Sequence, residues 1–127
     1  MAQRFRPVSP HLQIYRFTLT MLTSISQRAT GIANYVGTGI LALWLLSAAV
    51  GGTFYDFTSA VVGSWFGQLV LFLYTWSLFH HALGGIRYFV WDFTKSMDPA
   101  GRELIVRIQW AAAIGLTLIA WALWVWR

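Results

Sequence analysis

Three stretches of this chain carry no Asp, Glu, Lys or Arg: Gly31 to Val50, Gly63 to Ile86 and Ile108 to Trp126. Each is close to the roughly 20 apolar residues that a helix needs to cross a bilayer. A backbone in hydrocarbon must satisfy its own hydrogen bonds, so stretches of this length and composition have one economical fold, the membrane-spanning helix. Charged residues make up only 10% of the chain, against about 25% in soluble domains. The reading is an all-α integral membrane protein with three transmembrane helices, at about 24–50, 63–90 and 104–126, preceded by a surface segment, 1–23. Three spans and short connections use nearly all 127 residues, which leaves one membrane-anchor domain, 1–127, and no room for a soluble catalytic module.

The net charge of +5 is explained by topology. Arg4, Arg6, Arg16 and Arg28 precede or open the first span. Arg87, Lys95, Arg102 and Arg107 bracket the second connection, whereas the first connection, 51–62, has no Lys or Arg. The positive-inside rule then places the N-terminus and the second connection in the cytoplasm and leaves only Arg127 outside. A nucleic-acid partner has nothing left to support it. Cysteine is absent, which excludes disulfides, thiolate metal sites and a cysteine nucleophile. The first apolar stretch starts too late and runs too long for a cleaved signal peptide. The segment from Met1 to about Thr20, extended or turned at Arg6-Pro7-Val8-Ser9-Pro10, is expected to lie along the cytoplasmic surface and dock a partner, with a flexible tail as the alternative.

Ionisable side chains at membrane depth point by default to function. His80 and His81 lie one to two helical turns before Arg87, the first charge that follows them. On a helix His81, Gly84, Gly85 and Tyr88 share one face. Two positions without side chains beside an imidazole leave room for a large flat group, and a porphyrin with its iron on that imidazole is one candidate. A plain helix-packing face, with a histidine bonded across it, is the other. Ser24 and Arg28 are four residues apart, on one face at the cytoplasmic edge of the first span. A hydroxyl and a guanidinium there suit a quinone carbonyl, a carboxylate or a propionate. Taken alone the pair reads first as an interfacial anchor, in which Arg reaches the headgroups and Ser bonds its own helix, because Arg at span ends is common. Trp44, Trp65, Trp110, Trp121, Trp124 and Trp126 are read as packing or belt residues, and the third span as structural. There is no phosphate-binding glycine loop, no paired-carboxylate constellation and no Ser/His/Asp arrangement.

Three motifs taken together, Arg6-Pro7-Val8-Ser9-Pro10-His11-Leu12-Gln13-Ile14-Tyr15, Ser24-Ile25-x-x-Arg28-x-x-Gly31 and His81-x-x-x-Gly85-Ile86-Arg87 followed by Trp91-Asp92, resemble the cytochrome b subunit of succinate dehydrogenase, the larger membrane anchor of respiratory complex II. The resemblance covers the whole chain. It implies three spans in a helical bundle shared with a second anchor subunit, one haem b between the two anchors, and an iron–sulfur subunit and a flavoprotein docked on the cytoplasmic or matrix side. It implies His81, not His80, as an axial haem ligand. It also implies Ser24 and Arg28 at the site that reduces ubiquinone, with Arg28 near a haem propionate as well. Gln27 and Tyr88 stand where the family often has histidine. The implied location is the bacterial inner membrane, or the mitochondrial inner membrane in a eukaryote. The chain alone would not be an enzyme. Because His80 and His81 point about 100° apart, they cannot ligate one iron in trans, so a second axial ligand has to come from another polypeptide. The alternatives are the anchor of a quinol:fumarate reductase running the reaction backwards, a haem-free anchor, and a small transporter subunit. The last would need polar groups spread across the depth of the membrane, whereas here they are expected to gather at one side.

Overall fold

A computed structural model describes residues 16–126. Expectations for the segment before Arg16, His11 among them, and for Arg127 lie outside the described residues. Four helices follow one another: α1 (Leu19–Val50), α2 (Gly52–Gly63), α3 (Trp65–Asp92) and α4 (Pro99–Val125). Among the described residues there is no strand. At 1.5 Å per residue α1, α3 and α4 are each about 40 Å long or longer, more than the roughly 30 Å hydrocarbon core. All three are apolar enough to cross it. The protein is a multi-pass membrane protein.

Each helix start has a local cause. Thr18 accepts a hydrogen bond from Met21 N, Ser64 from Gly67 N and Asp98 from Gly101 N, and Pro99 follows Asp98 as the first helical residue. The first connection departs from expectation, because it is largely helical. Gly51 caps α1 and α2 begins at Gly52, and these two residues have φ of +73° and +64°. Glycine takes that left-handed conformation without a Cβ penalty, so the chain can reverse in two residues and re-enter a helix. With 12 residues α2 is too short to span. It is tied back to α1 by a hydrogen bond between Ser47 and Thr58.

α3 is the central helix, packed on both α1 and α4. The interior is polar and the surface apolar. The buried set among the described residues is Thr23, Gln27, Thr30, Ser47, Ser77, His80, Arg87, Gln109 and Thr117, with Gly84 and the hydrophobic Val106 and Ala113. Lipid gives apolar side chains no reason to hide, so interhelical contact falls to small residues and hydrogen bonds. Trp110 Nε1 donates to Thr23 Oγ1 at 2.9 Å, Ser77 Oγ to Asn34 Oδ1 at 2.7 Å and Trp121 Nε1 to Thr75 Oγ1 at 3.3 Å. Thr38 and Tyr74 share a hydrogen bond of 3.0 Å. Polar groups therefore run the length of the bundle instead of gathering at one side, but as closed pairs between helices. Trp110 and Trp121 are corrected from belt residues to interhelical donors. Trp65, Trp124 and Trp126 are strongly exposed.

Candidate functional site: two adjacent histidines with opposite surroundings

His80 and His81 are consecutive on α3, so their side chains leave the helix about 100° apart. That rotation sends them into different environments. His80 is fully buried among the helices. Its Nε2 lies 2.9 Å from Ser26 Oγ of α1, and Gln109 Nε2 of α4 donates to its backbone oxygen at 3.1 Å. Its ring stacks on Trp76 with centroids 5.0 Å apart, and Trp110 meets it edge-on at 4.7 Å. Aromatic rings and two neighbouring helices enclose it, and no large planar group could reach either nitrogen without dismantling that packing. The third span, expected to be merely structural, contributes Gln109 and Trp110 to this enclosure.

His81 is half-buried in the seam between α3 and α1. Its Nδ1 lies 3.1 Å from the backbone oxygen of Gln27 and 3.3 Å from Thr30 Oγ1. A carbonyl oxygen only accepts, so the proton sits on Nδ1 and the lone pair on Nε2. Among the described residues nothing hydrogen-bonds that Nε2. A ring held through Nδ1–H to a backbone carbonyl, with Nε2 left basic, is the arrangement that orients a metal-ligating histidine. Gln27 returns the contact, because its Nε2 donates to the backbone oxygen of His81 at 3.0 Å. The two residues clamp α1 to α3 reciprocally.

The glycines divide the work differently from the expected shared face. The missing side chain of Gly84 is filled by the Gln27 side chain, so this glycine serves helix packing and leaves no space for a further group. Gly85 does stand open, with nothing within 4 Å of where a Cβ would be. The glycine that borders the imidazole is Gly31 of α1, where a Cβ would stand 3.2 Å from His81 Cε1. Tyr88 is exposed. Its neighbour Arg87 is buried, with the guanidinium 5.1 Å from the Tyr88 ring centroid and 4.6 Å from that of Trp91. The only ion pair among the described residues is Arg107 with Glu103, far from Arg87 in sequence and on the exposed surface.

Ser24, Arg28 and Gly31 follow the i, i+4, i+7 rule on α1, so the strip that carries Ser24 and Arg28 continues to the glycine against His81. Three other hydroxyls in this part of α1 bond their own helix: Thr23 to Leu19 O, Ser26 to Thr23 O and Thr30 to Ser26 O. Ser24 does not. Neither it nor the exposed Arg28 has a hydrogen bond among the described residues, to each other or to His81. Sequence reasoning missed Gln27 and Thr30 as the partners of His81, and Ser26 and Gln109 as those of His80. Helical spacing gave Gln27 and Thr30 a common face, but which helix meets that face is a tertiary fact.

With this geometry in hand, the comparison with known proteins is specific. Residues 3–124 match the profile of the family described as succinate dehydrogenase/fumarate reductase transmembrane subunit. The chain is 39% identical over 87 residues to the succinate dehydrogenase cytochrome b556 subunit of Paracoccus denitrificans, covering 68% of this chain and 67% of that one. It is 30% identical over 121 residues to the subunit of the same name from Rickettsia felis, covering 91% and 90%. It is 29% identical over 119 residues to the mitochondrial cytochrome b560 subunit of Mus musculus, covering 91% and 65%. The family is that of the membrane subunit and not of the catalytic flavoprotein. On the match across nearly its whole length, the chain belongs to the succinate dehydrogenase/fumarate reductase transmembrane subunit family.

Proposed function

We propose that this chain is the haem-binding anchor of a succinate:quinone oxidoreductase, and that it contributes to the site where electrons from succinate reach ubiquinone. The observation that carries this reading is the free Nε2 of His81, on a ring whose Nδ1–H is committed to Gln27 O. The residues present fit a haem b: a basic imidazole nitrogen at a half-buried seam, its ring lying against Gly31, the open position at Gly85 one helical turn on, and a rival histidine already enclosed. His81 would be one axial ligand and a histidine of the second anchor subunit the other. When bound, the haem supplies a one-electron carrier inside the bundle.

The chain's own residues do the rest. Gln27 and Thr30 orient the imidazole. Ser24, whose hydroxyl is not spent on its own helix, donates to a quinone oxygen. Arg28, whose guanidinium is exposed at the helix surface, stabilises negative charge that develops on the quinone during reduction. In the same reading the N-terminus is cytoplasmic, and the iron–sulfur and flavoprotein subunits dock on that side. The names of the similar proteins favour succinate oxidation over fumarate reduction as the working direction.

The test uses the assembled complex. Arg28→Ala is expected to lower succinate-driven ubiquinone reduction about a hundredfold, the scale of one lost electrostatic stabiliser. Succinate oxidation by a soluble artificial acceptor should be unchanged. Normal ubiquinone turnover in that variant would remove Arg28 from the site.

A further inference from the structure

Arg87 is only 3% exposed, on the inner face of α3 that also carries Ser77, His80 and Gly84. Its Nε is shut away without a hydrogen-bond partner. The guanidinium lies against two aromatic rings, 4.6 Å from the Trp91 centroid and 5.1 Å from that of Tyr88. The polar group beside it is the Tyr88 phenol, which can accept a hydrogen bond but brings no counter-charge. The indole Nε1 of Trp91 is a second buried donor without a partner.

No acid of this chain answers that charge. The sequence holds four, Asp56, Asp92, Asp98 and Glu103, and the structure describes all of them. Glu103 is paired with Arg107, Asp98 accepts from Gly101 N at the start of α4, and neither Asp56 nor Asp92 pairs with Arg87. A guanidinium taken out of water without a counter-ion is strongly unfavourable, and contact with ring faces recovers only part of that cost. Ionisable side chains inside a membrane bundle are as a rule paired.

We infer that in the assembled protein Arg87 receives a carboxylate that this chain does not supply. A carboxylate is the planar, two-pronged acceptor that the guanidinium fork matches. Helix register gives it a way in. Ser77 meets Thr30, His80 meets Ser26 and Gly84 meets Gln27, so α1 and α3 run antiparallel and Arg87 stands level with the α1 turn that precedes Gln27. It is five residues from the end of α3, within reach of a group entering at that end of the bundle. Of the two covering rings, that of Tyr88 is 46% exposed and can turn aside without opening the α1–α3 seam. Two sources carry this chemistry, an Asp or Glu of another subunit and a propionate of the haem proposed at His81. Only the second rests on the function proposed above.

The test reads the sign of a stability change in the assembled complex. Arg87→Met removes the charge and keeps a long side chain. With a carboxylate in place, the change leaves that acid buried and alone, so the unfolding midpoint should fall by several degrees or assembly should fail. Arg87→Lys, which keeps the charge but not the fork, should recover part of the loss. Without a partner acid, Arg87→Met relieves a buried charge instead, and a midpoint equal to or above wild type would overturn the inference. So would equal losses in Arg87→Met and Arg87→Lys, which would mark the guanidinium as packing alone. Two arms separate the sources. For a propionate, reconstitution with haem dimethyl ester should lower the wild-type midpoint to that of Arg87→Met and leave the variant unchanged. For a partner's acid, the ester should leave the gap between wild type and Arg87→Met as it was, and changing one Asp or Glu of another subunit to its amide should rescue Arg87→Met. A deficit that neither arm moves would overturn the inference. A deficit present in vesicles of phosphatidylglycerol and absent in those of phosphatidylcholine would assign an anionic lipid and overturn the carboxylate.

Discussion

At the scale of single residues, one carbonyl decides which of two neighbouring histidines is available. Gln27 O takes the Nδ1 proton of His81, and Ser26 with the rings of Trp76 and Trp110 takes His80 out of play. Because the Gln27 contribution to the His81 ring is made by its backbone, Gln27→Ala should leave the haem spectrum in place. The same change removes a buried side chain that fills Gly84 and donates to His81 O, so the complex should lose about 1–3 kcal/mol, read as a lower unfolding midpoint. Gly31 behaves oppositely. A branched side chain there collides with His81 Cε1, so Gly31→Val should strip or shift the reduced haem band, while Gly31→Ala needs only a few tenths of an ångström of adjustment. Reduced-minus-oxidised absorbance per complex checks both. The sequence singles out His81 through the spacing of the family motif, and the structure adds that its Nδ1 is held by Gln27 O. The reason it is free was not legible in the sequence, because that depends on a contact between residues 54 apart.

At the scale of elements, the helices could be read from charge-free length, and the joints between them could not. The stretch 51–62 contains Gly-Gly followed by mixed polar and apolar residues, which reads as a loop by composition. It becomes a helix because two left-handed glycines reverse the chain at once and the Ser47–Thr58 bond holds α2 against α1. Gly51→Ala, forced to φ of +73° and ψ of −164°, should cost about 1–3 kcal/mol, measurable as a lowered unfolding midpoint of the purified complex. The α1–α3 seam is more demanding. Gly84 meets the side chain of Gln27, so Gly84→Val should drive the two helices apart and sharply reduce recovery of assembled complex. The polar pairing along the bundle was equally illegible, because each Ser, Thr or Trp read alone is an ordinary surface or belt residue. Trp110 is the clearest case, an expected belt residue that in fact bonds Thr23 and packs on His80.

At the scale of the whole molecule, this is a bundle with its polarity reversed, with polar side chains buried between the helices and most of the apolar ones facing outward. Among the described residues His80 and His81 are the only histidines, and their geometry allows one of them on an iron. On the proposed function, the chain expressed alone should show no six-coordinate bis-histidine haem, and co-expression with a second anchor subunit should restore it. The most direct test of the account replaces the two histidines in turn and records the reduced-minus-oxidised spectrum of each assembled complex. His81→Ala should abolish the six-coordinate haem signal, and His80→Gln should retain it. Loss in His80→Gln with retention in His81→Ala would contradict the assignment.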